Sequence, residues 1–319
     1  MMAEGRADDD DVFVYMGGNQ QVPLGVRRAR IHISVKIVLR GAFNNRRRLI
    51  YVEFHDGIEI IEAGAFYNCT SFRGRIKLLG VKIIKADAFS HCYGLMGVEF
   101  GDKLETIEEQ AFYNTALRKI RMPSVRTVGQ KVFTGCCGLS DVECGEALET
   151  LQGNAFNQCP KLKRIALPFK RIMIEDDVFS ECPKLTTVDL IGGVHKTVAS
   201  LHLESWRSEM NNEINRINQV LPTTALHKTH KTGEIQRWMR STFRQLDHYK
   251  DEHHNILKEA TTLLELALWK ANLDDNENGE REGVRTTRGS RKRARKEICV
   301  TSGASIVIKN VLPFLQLVE

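Results

Sequence analysis

Cysteines and histidines are the side chains whose chemistry would be most specific here if their spacing brought them together, and the chain holds eight of the first and ten of the second. Five of the thiols, Cys69, Cys92, Cys136, Cys159 and Cys182, each follow a phenylalanine by three residues. A zinc centre needs about four ligands converging on a tetrahedron, whereas one thiol per regularly spaced unit makes a line. Zinc is therefore excluded on geometry, and the five read as a structural ladder of small, weakly polar packing. Neighbouring members of such a ladder approach disulfide range. The N-terminal residues, however, with Asp8 to Asp11, are acidic where a secretory leader is basic and then apolar. This predicts an intracellular chain, cytoplasmic or nuclear and not secreted, whose thiols are reduced. Cys137 and Cys144 fall outside the ladder and suggest no role. His227, His230, His248, His253 and His254 match no H-E-x-x-H and have no cysteine cluster nearby, so they read as surface residues. No phosphate-cradling glycine loop, nucleophile elbow or dinucleotide fingerprint is present. The chain reads as non-enzymatic, with no catalytic residue, metal or cofactor assigned.

Charge points to a second kind of chemistry. The formal net charge is +6, but residues 281–296 hold eight Lys/Arg and one Glu, a net +7, which leaves 6 − 7 = −1 for the rest. Within that stretch Arg291, Lys292, Arg293, Arg295 and Lys296 make a candidate nuclear-localisation cluster. No aromatic side chains are interleaved to stack on bases, which weakens direct nucleic-acid contact. No apolar run reaches the ~18 residues of a membrane span. The best C-terminal stretch is broken by Lys309 and Asn310.

These residues are positioned by a repeat. Phe43, Phe66, Phe89, Phe112, Phe133, Phe156 and Phe179 recur seven times, with a period of 23 residues shortened once to 21. Five residues ahead of each lies Val38, Ile61, Ile84, Ile107, Val128, Leu151 or Ile174. Behind each come Leu49, Phe72, Leu95, Leu117, Leu139, Leu162 or Leu185, and then Val52, Ile76, Val98, Ile120, Val142, Ile165 or Val188. The last series has an apolar residue two positions further on, which is strand alternation. One such unit cannot bury its apolar side alone. Stacked copies place each series in a continuous inner column.

The pattern I-x-x-x-A-F-x-x-C-x-x-L-x-x-V-x-F, as in Ile84 to Phe100, resembles the BspA-like class of leucine-rich repeat, abundant in proteins of single-celled eukaryotes. The resemblance covers about half the chain and implies a repeat solenoid that binds proteins or ligands rather than one that catalyses. Departures are local: Arg46 and Thr115 stand at cysteine positions, repeat four is two residues short, and the second repeat has one extra residue before Ile76.

The expected organisation is a disordered acidic N-terminus (1–11), an N-terminal cap (12–36), seven leucine-rich repeats (37–194), an α-helical hairpin (195–272), a disordered linker with the basic cluster (273–297), and an apolar C-terminal segment (298–319). In the cap, Val12 to Tyr15 and Ile31 to Val35 read as strands around a glycine- and proline-containing turn. The first helix carries the stripe Leu203, Trp206, Met210, Ile214, Ile217 and Leu221 and ends near Pro222. After a polar linker through Gly233, the second carries a stripe from Ile235 to Leu268. It either caps the last repeat or forms a homodimeric coiled coil through 235–271. On the repeats, the residues flanking each inward Val/Ile form two exposed columns. One is Tyr51, Arg75, Gly97, Lys119, Asp141, Arg164, Thr187, and the other is Glu53, Lys77, Glu99, Arg121, Glu143, Ala166, Asp189. Arg75, Lys77, Lys119 and Arg121 would surround Glu99, with an acidic step at Asp141 and Glu143. Such a segmented face suits a polar protein ligand and argues against a uniformly basic nucleic-acid track. The function expected is a scaffold that binds a protein partner through this face. The alternative is a nuclear protein contacting nucleic-acid phosphates through 281–296.

Overall fold

A computed structural model of the chain describes residues 12–191, 203–223 and 230–280. The linker beyond residue 280, the nuclear-localisation candidate and the apolar C-terminal segment lie outside them, as do residues 1–11. The chain divides into two compact units. One comprises residues 1–193 with 209–243, and the other residues 194–208 with 244–319.

The first unit is a parallel β-solenoid. Each of the seven repeats contributes a two-residue strand and then a longer strand, and two more longer strands precede them. The longer strands are β1 (Val12–Tyr15), β2 (Arg28–Ile31), β4 (Tyr51–Glu53), β6 (Arg73–Leu78), β8 (Gly94–Phe100), β10 (Lys119–Met122), β12 (Asp141–Cys144), β14 (Arg164–Pro168) and β16 (Thr187–Ile191). They follow one another in chain order, and every pair formed is parallel. The two-residue strands β3 (Ile37–Val38), β5 (Ile60–Ile61), β7 (Ile83–Ile84), β9 (Thr106–Ile107), β11 (Thr127–Val128), β13 (Thr150–Leu151) and β15 (Met173–Ile174) form a second, seven-stranded parallel sheet. The aliphatic series ahead of each phenylalanine is thus a sheet of its own, which two residues per rung are too few to announce by alternation.

Between the sheets the seven phenylalanines stack face to face, with successive ring centroids 4.8 to 5.8 Å apart and planes within 13°. Tyr15 continues the column beyond Phe43 at 5.3 Å, tilted. The backbone closes each corner with two left-handed residues, two positions before and two after the phenylalanine. In the third repeat these are Asp87 (φ 57°) and His91 (φ 61°), and in the sixth Asn154 (φ 58°) and Gln158 (φ 54°). Next to the extra residue of the second repeat the register of β6 on β8 shifts, with Gly74 opposite Leu95, Arg75 opposite Gly97 and Met96 passed over, and the φ of 94° at Gly74 suits glycine.

The N-terminal cap differs from expectation. Its second strand is Arg28–Ile31, not Ile31–Val35, and it pairs in parallel with both β1 and β4, with Ala29 opposite Val52. The cap is therefore two further rungs, and Arg28 to Ile31 follows the repeat's own inward and outward alternation. Arg46, at the first cysteine position, ties the cap down by donating from Nε to the Val22 carbonyl at 2.8 Å.

The open C-terminal edge is closed by α1 (Leu203–Thr223) and α2 (His230–Glu280). In rungs one to six, the phenylalanine N–H donates to the next rung, as Phe156 does to the Val178 carbonyl at 2.9 Å. The last, Phe179 N–H, donates instead to Thr232 Oγ1 at 2.9 Å. Likewise the carbonyls of Val38 through Leu151 accept from the following rung, while that of Ile174 accepts from Gln236 Nε2 at 2.8 Å. Asn218 Oδ1 receives the Val188 N–H, and the Lys231 ammonium donates to the Pro183 and Leu185 carbonyls. The helices stand in for an eighth repeat, hydrogen bond by hydrogen bond. Met210, Ile217, Leu221, Ile235, Met239 and Phe243 are buried, and Trp238 Nε1 reaches the Glu213 carbonyl at 3.1 Å between the two helices.

Two boundaries move. Helix α2 begins at His230, with Gly233 inside it, and it runs to Glu280, beyond residue 272 where the hairpin was expected to end. Ile235, Trp238, Met239 and Phe243 are buried in the cap. In the second unit Leu263, Leu266 and Leu268 are exposed.

Candidate interaction surface

The cysteine ladder has a structural account. Each thiol donates to the phenylalanine carbonyl of the preceding rung: Cys69 to Phe43 at 3.0 Å, Cys92 to Phe66 at 3.2 Å, Cys136 to Phe112 at 3.4 Å, Cys159 to Phe133 at 3.2 Å, and Cys182 to Phe156 at 3.0 Å. Thr115, at the same position in the short repeat, donates to Phe112 within its own rung at 3.0 Å and lies 3.2 Å from Cys136 Sγ. Burial pushes the Cys136 thiol up to about 11 and Cys144 to about 12. All seven described cysteines are free thiols, and Cys137 alone among them is exposed. Among the described residues no three His, Cys, Asp or Glu side chains are grouped to hold a metal ion.

The two sequence-derived columns lie on the longer-strand sheet, but their charges are not equally available. The second column pairs with itself across rungs: Arg30 with Glu53 at 2.5 Å, Lys77 with Glu99 at 3.5 Å, and Arg121 with Glu143 at 2.9 Å. In the first column Arg164 bridges Asp141 at 3.1 Å and Asp189 at 2.5 Å. Two positions are not exposed at all. Ala166 is buried, and Gly97 is buried under the aliphatic stem of Arg75, whose Cγ would lie 2.9 Å from a Cβ there. Of the expected basic group, then, Arg75 and Lys119 have no ion-pair partner among the described residues, while Lys77 and Arg121 are already matched.

The structure adds a third column just ahead of the first, one residue before it at Arg27, Ile50, Met96 and Arg118 and two residues before it at Arg73. Arg27, Ile50 and Arg73 are linked rung to rung by Ile50 N–H to the Arg27 carbonyl at 2.7 Å and Arg73 N–H to the Ile50 carbonyl at 3.1 Å. Beyond the register shift between β6 and β8, where Arg73 lies opposite Gly94, a matching series of hydrogen bonds runs from Met96 through Arg118 and Ser140 to Lys163. Arg27, Arg28, Ile50 and Tyr51 line one shallow depression of about 440 Å³. The third and first columns therefore border the same surface, where Tyr51 and Met96 are exposed. Whole-chain bookkeeping concealed this, because the residual −1 averages over regions of opposite sign. A local count would have found it: between Arg27 and Arg48 there are eight Lys/Arg and no Asp or Glu.

Two stacked parallel sheets with one phenylalanine per turn define a leucine-rich-repeat solenoid. The family model for the BspA type leucine rich repeat region matches in six copies over residues 26–136 and 82–201, more than half of the chain, which belongs to that family. Similar solved structures include the leucine-rich repeat protein TpLRR of T. pallidum, with 28% identity over 41% of this chain and 63% of that one (TM-score 0.38). A leucine-rich repeat protein from Bacteroides ovatus shows 29% identity over 50% and 42% (TM-score 0.45). The pneumococcal vaccine antigen PcpA shows 20% identity over 56% and 54% (TM-score 0.37). The chain thus spans less than two thirds of the length of each of these relatives. No curated protein matches it.

Proposed function

We propose that the protein is a non-enzymatic scaffold that binds a protein partner through the outward face of its longer-strand sheet. One observation carries the reading. Successive rungs hold Tyr51, Arg75, Met96 and Lys119 exposed on a backbone locked in register by the phenylalanine stack beneath. Rigid presentation of aromatic, apolar and charged side chains lowers the ordering cost of association. Exposed Tyr and Arg are the side chains that most often anchor protein interfaces. Solenoid folds in general offer such extended surfaces to other proteins.

The reading is tested with the full chain as bait. Partners captured by the wild type are compared with those captured by Tyr51→Ser/Arg75→Glu/Lys119→Glu, and by Lys82→Glu/Arg126→Glu beside the two-residue-strand sheet. Loss confined to the first variant is the expected result. Identical capture by all three proteins defeats the assignment of this face.

A further inference from the structure

The proposed face has an uneven charge distribution. Along the third and first columns the five rungs from β2 to β10 present Arg27, Arg28, Arg73, Arg75, Arg118 and Lys119, all exposed. Among the described residues none of the six has a carboxylate partner, and neither column supplies an Asp or Glu before Asp141. Like charges held this close repel one another. The neighbouring column answers the same problem with rung-to-rung ion pairs, and this one does not. What remains is a strip of unneutralised charge about 19 Å long, taking ~4.8 Å per strand, with Ile50, Tyr51 and Met96 set between the cations.

We propose that this strip is a docking site for an extended, acidic protein segment of about six residues, the length that spans it at ~3.3 Å per residue. The inference rests on the protein-binding reading above and names the chemistry of the partner. Five of the six cations are arginines, whose planar fork receives a carboxylate through two parallel hydrogen bonds. Carboxylates about three residues apart on an extended segment, at ~3.3 Å per residue, would match the ~9.6 Å between the arginine-bearing rungs β2, β6 and β10. The intervening side chains would meet Ile50, Tyr51 and Met96. Nucleic acid fits less well. The neighbouring column, with Glu53 and Glu99 paired to Arg30 and Lys77, adds no free cations to widen the strip into a track for a phosphate backbone. Tyr51 is also the single aromatic on the strip, too few for a run of stacked bases.

The test uses the full chain and two fluorescent probes: a decapeptide of serines with glutamate at every third position, and a ten-nucleotide oligothymidylate. Binding is read as anisotropy at about 50 mM and about 200 mM salt. The four aspartates Asp8 to Asp11 directly precede Val12, the residue paired with Arg28. A parallel titration with all four changed to Asn therefore removes competition from within the chain. Saturable peptide binding that weakens at the higher salt is expected. It should fall at least tenfold in Arg28→Glu/Arg75→Glu, and remain unchanged in the folded control Lys82→Glu/Arg126→Glu. No peptide binding by either form of the chain, or equal loss in both variants, overturns the proposal. Oligothymidylate bound as tightly as the peptide and lost with the same arginines overturns the peptide assignment. If the peptide fails while partner capture still depends on Tyr51, Arg75 and Lys119, the acidic chemistry is wrong and the protein-binding face stands.

Discussion

At the scale of single residues, the corners of the solenoid carry backbone strain that the sequence does not advertise. Among the described residues eleven non-glycines hold positive φ, a region that costs an L residue roughly 1 kcal/mol or more unless its side chain is short and polar. Asn45, Asn68, Asn114 and Asn154 meet that condition, while Gln158 does not, and its side chain is exposed. Gln158→Gly should therefore raise unfolding free energy by about 0.5–1 kcal/mol in chemical denaturation, since the relieved strain exceeds the entropy glycine adds to the unfolded chain. The thiols give a pH dependence. Burial raises Cys136 and Cys144 above the ordinary value of 9, so each keeps its proton in the fold at pH values where the unfolded chain has lost it. The contribution is full below pH 9 and disappears as pH rises through about 11 to 12. Denaturation midpoints should thus fall over that alkaline range, and Cys136→Ala/Cys144→Ala should flatten the decline. An unchanged slope in the double variant would remove the thiols from the explanation.

At the scale of elements, the interior rungs and the capped end depend on different physics. An interior rung is held by stacking, and Phe112 lies between Phe89 at 5.2 Å and Phe133 at 5.6 Å in a fully buried column. Phe112→Ala should cost about 3–5 kcal/mol, the range for a large buried aromatic whose space cannot collapse. The end is held by polar substitution. Thr232→Val keeps the shape but leaves the buried Phe179 N–H without an acceptor, a loss of about 1–3 kcal/mol that Thr232→Ser should largely restore. Amide exchange reads the two cases apart, because Thr232→Val should expose the last rung first and leave the central rungs protected. The capping role was half legible in the sequence: the apolar stripe from Met210 to Leu221 and from Ile235 to Phe243 announced two amphipathic helices. Thr232, Asn218, Gln236 and Lys231 carried no such signal, because polar residues on a helix ordinarily face water. Only the open edge they meet gives them acceptors and donors to match.

For the whole molecule, the second unit presents Leu263, Leu266 and Leu268, 67%, 54% and 52% exposed. We propose these leucines as the exposed part of the homodimer anticipated through 235–271, since Ile235, Met239 and Phe243 are buried in the cap. Sedimentation equilibrium at roughly 10–100 μM should show self-association that Leu263→Lys/Leu266→Lys abolishes; a monomeric wild type over that range would end the idea. The sequence by itself determined the period, the inward columns and the parallel stacking, since a 23-residue repeat of apolar positions can bury them only by superposing copies in register. It also determined that the cysteines form a line rather than a cluster. The tertiary structure alone decided which charges are free. Lys77 and Arg75 are two residues apart and alike in sequence, yet one faces Glu99 on the next rung and the other lies across Gly97. The strip of arginines follows the same reasoning. Its members come from strands more than twenty residues apart, and neither their proximity nor the absence of carboxylates between them exists until the rungs are stacked at ~4.8 Å.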